Sequence, residues 1–297
     1  MREKGEISVE PHYERKTIKR DIGGTKNGEA VDGTAREFES EGELEIKYGI
    51  TDNLMLLIEL ENVFKEREKA TLRFGDEIEE EQERESGFSD ITFELVYRIL
   101  EEKESTPMWV AGIGIKPKTA SSQEAIEEEF ENGELETLGR KGDAGQGNTN
   151  VLLRTAISKE FGRFEPFAEL KYTFVGDRDI EGGTIEKGDQ LQLTLGTDFE
   201  VLENLLLRSQ FEYLQTGEET KRTGVRVVTD SRDEFTLRGE LVWEPIESLE
   251  IRPFGGFVWE SSFQKKGPDA DDNLRFSNNR GWFVGIIVGW HFHLFGE

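Results

Sequence analysis

The chain has 297 residues, no cysteine, a formal charge of −26, 35% hydrophobic residues and a mean hydropathy of −0.61. The acidity argues against a nucleic-acid partner, because phosphate contacts need clustered lysine and arginine. The missing cysteines exclude disulfide scaffolds, thiolate metal sites and cysteine nucleophiles. No run of about 18 consecutive apolar residues exists, so no transmembrane helix is encoded; membrane strands alternate and need no such run.

Taken in order, the chain reads as one domain over 1–297, a meander of strands at period two. Ile7, Val9 and Pro11 alternate with polar residues, and a polar, glycine-rich stretch (Asp21 to Thr34) follows. Leu44, Ile46, Tyr48 and Ile50 face away from Glu43, Glu45 and Lys47. The tight turn Thr51-Asp52-Asn53 leads to Leu54, Leu56, Ile58 and Leu60 against Glu59 and Glu61, a hairpin signature. An acidic loop (Lys65 to Ser86) precedes a strand with Phe93, Leu95 and Tyr97 against Glu94 and Arg98. A turn then leads to Trp109, Ala111, Ile113 and Ile115.

A second polar loop (Lys118 to Gly147) holds Glu127-Glu128-Glu129 and a possible short helix, Ser121 to Phe130. Strands with Arg154 and then Glu169 and Lys171 on their polar faces follow, joined at Phe161-Gly162-Arg163. Loops at Gly176 to Lys187, Thr216 to Arg232 and Gln264 to Asn278 separate further hairpins carrying Arg208 and Glu212, then Arg238, Glu240 and Arg252. The last segment sets Trp282, Val284, Ile286, Val288, Trp290, Phe292 and Leu294 against Phe283, Gly285, Ile287, Gly289, His291, His293 and Phe295. Glycines inside such a run argue against a helix.

The pattern predicts an all-β fold: a transmembrane up-and-down antiparallel barrel of about twelve strands, with short turns at one end and long polar loops at the other. A soluble sandwich would show no such alternation of loop lengths. The apolar face points to lipid, and Tyr48, Tyr97, Trp109, Tyr172, Tyr213, Trp243, Trp259, Trp282 and Trp290 form aromatic girdles. The opposite face lines the lumen with Glu43, Glu45, Lys47, Glu59, Glu61, Glu94, Arg98, Arg154, Glu169, Lys171, Arg208, Glu212, Arg238, Glu240 and Arg252. Lys116, Glu160, Asp198, Glu244, Glu250 and Glu260 fall on the same face. A dry core could not hold so many ions without large desolvation costs; a hydrated lumen can.

Catalytic and cofactor signatures are missing. His291 and His293 lie two apart with no clear third ligand, so no metal is expected. Gly112 and Gly114 sit in a strand rather than before a helix, so they are no nucleotide fingerprint. No Ser/His pairing of an outer-membrane phospholipase is found. No enzyme and no cofactor are expected.

The segments Lys-Tyr-Gly-Ile-Thr-Asp-Asn-Leu (Lys47 to Leu54) and Gly-Phe-Ser-Asp-Ile-Thr-Phe-Glu-Leu-Val-Tyr-Arg-Ile-Leu (Gly87 to Leu100) resemble a family of bacterial outer-membrane barrels. Its members are described as transporters or as the outer-membrane protein of the phenol-degradation (meta) pathway. The resemblance implies a barrel in the bacterial outer membrane that passes small, unspecified solutes. Outer-membrane lipid, lipopolysaccharide and the barrel-assembly machinery would be its partners, the last through a closing aromatic, Phe295. Met-Arg-Glu-Lys opens no signal peptide, so that location requires a signal already removed. The expected function is a channel for small solutes through a charged lumen. A plugged barrel acting through acidic external loops, and a soluble or engineered β-barrel, remain alternatives.

Overall fold

The computed structural model describes residues 2–26, 28–74, 77–119, 147–180, 183–222, 226–267 and 273–293, and their regular structure is all β. β1 (Glu6–Lys26), β2 (Glu29–Thr51) and β3 (Leu54–Phe74) are long, and β4 (Glu77–Phe88) folds back along the outer half of β3. β5 (Thr92–Leu100), β6 (Met108–Lys116) and β7 (Asn150–Ser158) have only nine residues each. β8 (Phe164–Val175) is followed by the short β9 (Arg178–Ile180) and β10 (Gly183–Glu186), and β11 (Gln190–Leu202) and β12 (Leu205–Thr216) by the short β13 (Glu219–Arg222) and β14 (Arg226–Thr229). β15 (Arg232–Ile246), β16 (Leu249–Glu260), a short β17 (Phe263–Lys266) and the long β18 (Asn273–His293) complete the chain.

Twelve strands close into a ring, β1-β2-β3-β5-β6-β7-β8-β11-β12-β15-β16-β18, and β18 pairs back onto β1 from Glu6↔His293 to Thr25↔Asn273. All pairings are antiparallel. The six remaining strands extend hairpins beyond the ring at the end opposite the short turns.

Polarity is inverted relative to a soluble protein. Large apolar side chains stay exposed around the outside, among them Ile113 (57%), Leu195 (45%), Val284 (51%) and Ile286 (42%). Carboxylates such as Glu94 (2%) and Glu240 (3%) are buried inside the ring. In water the exposed belt would be unfavourable at about 25 cal/mol per Å²; in lipid it is the favourable surface. The chain is a transmembrane β-barrel.

Five of the expected loops are corrected to sheet in large part, Gly176 to Lys187 among them as the β9–β10 hairpin. Asp21 to Thr34 is the continuing β1–β2 hairpin, and Lys65 to Ser86 is the β3–β4 hairpin. Much of Thr216 to Arg232 is β13 and β14, and Gln264 to Asn278 includes the end of β17 and the start of β18. The backbone register runs unbroken from Asn62 opposite Phe88 to Arg67 opposite Glu83. The ladder satisfies the backbone polar groups by itself, and a pair wetted on both faces needs no hydrophobic alternation. The segment 120–146, with Glu127 to Glu129 and most of the possible helix, lies outside the described residues, as do Leu294 and Phe295.

The two conspicuous sequence segments are anchors. Asp52 Oδ1 accepts from Lys4 N at 3.3 Å and the Gly49 carbonyl accepts from Gly5 N at 2.8 Å, tying the N-terminal residues to the short-turn rim. A Cβ at Gly49 would strike the Glu3 carbonyl, so only glycine fits that approach. Asp90, buried at the entry to β5, accepts from Thr119 N at 2.7 Å and Gly147 N at 3.3 Å. One carboxylate thus fastens both ends of the long β6–β7 connection.

Candidate functional site

The inward pleat positions build an ionic interior. On β2 and β3 they carry Glu39, Glu41, Glu43, Glu45, Glu59 and Glu61, an acidic wall of two neighbouring strands. The guanidinium groups stand on other strands. Arg154 of β7 donates to Glu169 of β8 at 2.7 Å and lies 3.6 Å from Glu94 of β5. It reaches Glu94 over β6, where Gly112 leaves room: a Cβ there would meet the Glu94 carboxylate.

On the other side the ions form one continuous network. Arg208 grips Asp198 through two hydrogen bonds of 2.8 and 2.6 Å, a bidentate geometry. Glu240 is shared by Arg238 at 2.6 Å, Arg208 at 3.6 Å and Arg252 at 3.9 Å. Arg252 also binds Glu250 at 2.7 Å and pairs with Glu10, to which Lys47 donates at 2.9 Å and Arg2 at 3.3 Å. Burying a lone carboxylate this deeply would cost several kcal/mol; three guanidinium groups around Glu240 offset that cost.

Two contacts skip strands. Lys16 of β1 binds Glu234 of β15 at 3.2 Å, with β16 and β18 between them, and Arg20 binds Glu260 of β16 at 2.9 Å. Together with inward aromatics they narrow the interior. Phe254 packs edge-on to His12 with ring centroids 5.2 Å apart and lies 6.2 Å from the Phe283 ring, while the Arg238 guanidinium stacks 3.7 Å above it. Glycines floor these rings: a Cβ at Gly285 would collide with Phe254, at Gly256 with Phe283, and at Gly196 with Phe167. What space remains includes a cavity of about 200 Å³ between Glu59, Glu61, Lys116, Lys171 and Gln192, and one of about 180 Å³ between Lys16, Glu212, Glu234, Arg238 and Phe283. Carboxylate oxygens of Glu43, Glu45 and Glu59 lie within 4.8 Å of one another, the hard-donor set a divalent cation takes.

Of the residues singled out from sequence, Glu43, Glu45, Lys47, Glu59, Glu61, Glu94, Arg154, Glu169, Lys171, Arg208, Glu212, Arg238, Glu240 and Arg252 share the inward pleat positions. Arg98 sits instead at the short-turn rim, donating to the Asp52 carbonyl. Glu160 and Glu244 are also corrected to exposed rim positions: Glu160 lies in the turn after β7, and Glu244 near the end of β15, where the strand has reached the short-turn rim. Among the aromatics, Tyr48, Tyr97, Trp109, Trp243 and Trp290 stand at the short-turn end, and Tyr172, Tyr213, Trp259 and Trp282 at the other. Sequence reasoning missed Glu10, Glu14, Lys16 and Arg20 on β1. Their outward neighbours Arg15, Thr17 and Lys19 are polar too, so the alternation gave no contrast; the signal was the register with β2.

No protein-family model matches the sequence, and no curated protein does. Among solved structures, the outer membrane channel from Pseudomonas putida F1 is similar with a TM-score of 0.58 at 14% identity, over 98% of this chain and 97% of that one. The CymD monoaromatic hydrocarbon channel gives 0.47 at 12% identity, over 98% and 90%. A Pseudomonas aeruginosa FadL homologue gives 0.46 at 10% identity, over 96% and 90%. The chain has the fold of an outer-membrane channel. Identity this low speaks to architecture alone, since one fold hosts many functions.

Proposed function

We propose that the protein is a channel of the bacterial outer membrane, passing small solutes through a narrow, charged lumen. The observation that carries this reading is the inversion of polarity around a closed ring, apolar outside and ionic within. A wall of that kind requires lipid on one side and water on the other. The β2–β3 wall, six carboxylates to one lysine among the inward residues named above, favours cations at the narrow point. The two interior cavities described above hold several water volumes each (about 30 Å³ per water), a size that suits small solutes.

Single-channel conductance in a planar bilayer, with the reversal potential read under a salt gradient, tests this. A steady conductance with cation preference is expected, and Glu59→Gln, Glu94→Gln and Glu240→Gln each weaken that preference. A folded barrel that passes no current defeats the channel reading. The Lys16–Glu234 bridge at 3.2 Å favours a second reading, a barrel closed by its own ion pairs, with the working surface on its projecting hairpins.

A further inference from the structure

One basic cluster in this acidic chain faces outward and takes no part in the lumen. Register places Arg36 of β2, Lys19 of β1 and Arg280 of β18 side by side across three neighbouring strands, with Trp259 of β16 next in line. All three basic side chains are exposed. One pleat repeat toward the short-turn end, about 6.6 Å along the strands, the row becomes Phe38, Thr17, Trp282 and Phe257. The next row carries Arg15 and Val284, within the apolar belt. The cationic and aromatic rows line an open groove of about 520 Å³.

We propose that this groove binds an anionic, phosphate-bearing lipid of the surrounding leaflet, with its phosphate on Lys19 and Arg280 and its acyl chains along Trp282, Phe257 and Phe38. The geometry specifies an amphiphile. Cations sit at the height where girdle aromatics mark the headgroup boundary, and along β18 the apolar surface continues from them into the belt through Trp282, Val284 and Ile286. Charge complementarity fixes the sign of the headgroup. The acidic neighbours lie to either side of its centre: Asp21, which accepts from Asn278 at 3.0 Å, stands farther toward the outer end, and Glu68 stands at the β3 register position beside Arg36. Lys19 and Arg280 lie farther along the row, and Arg15 stands one row deeper. Arg36 therefore frames the site and Lys19 with Arg280 form its centre. The assignment rests on the membrane reading but not on conduction.

The test uses the full chain folded in neutral detergent and native mass spectrometry of retained lipid. The probes are diphosphoryl lipid A, its dephosphorylated form and phosphatidylcholine. One diphosphoryl lipid is expected to be retained per barrel in preference to the other two. The double variant Lys19→Gln/Arg280→Gln weakens that affinity about thirty-fold, roughly five-fold for each basic residue at an anionic lipid surface. Arg275→Gln, exposed on β18 outside the groove, leaves it unchanged, and all variants keep a heat-modifiable barrel. Equal retention by the double variant, equal retention of the dephosphorylated lipid, or displacement by excess inorganic phosphate alone would each overturn the site. A chain that never folds as a barrel overturns the membrane reading and the site together. A folded barrel that binds the lipid but carries no current overturns only the channel.

Discussion

Gly285, on the inward face of β18, and Gly42, on the outward face of β2, differ sharply in the space around them. A Cβ at Gly285 collides with the Phe254 ring, while one at Gly42 meets nothing within 4 Å. Gly285→Ala is expected to destabilise the barrel by about 1–3 kcal/mol through displaced aromatic packing, and Gly42→Ala to change it by less than about 0.5 kcal/mol. Urea unfolding in lipid vesicles measures both. Gly42 sits between Glu41 and Glu43 and Gly285 between Val284 and Ile286, and neither setting tells what lies across the strand. The outward residues were legible because lipid demands apolar side chains at every second position. The inward partners were not: that Glu240 is shared by Arg208, Arg238 and Arg252 depends on the registers of β12, β15 and β16, which no local pattern encodes.

At the scale of elements, the strands divide into those that cross and those that also climb. Nine residues, at about 3.3 Å each and a tilt of about 40°, rise little more than 20 Å, roughly the height of the apolar band. β5, β6 and β7 therefore end where lipid ends. Ile286, between Trp282 and Trp290 on β18, lies near mid-band; Ile286→Arg is expected to cost about 2–4 kcal/mol in folding into bilayers, against at most about 1 kcal/mol for Thr17→Arg at the boundary. The crossing halves were readable from alternation. The climbing halves were not, because a strand wetted on both faces has no hydrophobic period and resembles a polar loop. The short turns are linked as well. Glu102 accepts from Glu160 N at 2.8 Å and from Lys159 Nζ at 3.1 Å, which holds its carboxyl below the usual range, the backbone bond contributing most. A depressed carboxylate contributes stability above its ordinary pKa and loses it as pH falls through the lower, folded value. Protection of the Glu160 amide from hydrogen exchange, corrected for intrinsic rates, should hold at neutral pH and fade below about pH 4.

The whole molecule is unequal around its rim. β1, β2, β3 and β18 have 21 to 23 residues. Twenty-one residues tilted by about 40° rise roughly 50 Å, about twice the apolar band. The tall side carries a small apolar cluster, Ile22, Val31 and Leu72 with Leu274 and Phe276, which stiffens it where no lipid does. Beyond that cluster the β1–β2 ladder runs on to Lys26 opposite Glu29. On this side a protein partner meets, among the described residues, a ruled sheet whose rows of side chains are spaced about 4.8 Å apart. Exchanging one opposed Lys–Glu pair for its reverse keeps the ladder and redraws the charge pattern. The outermost surface can change its appearance while its backbone stays as it is.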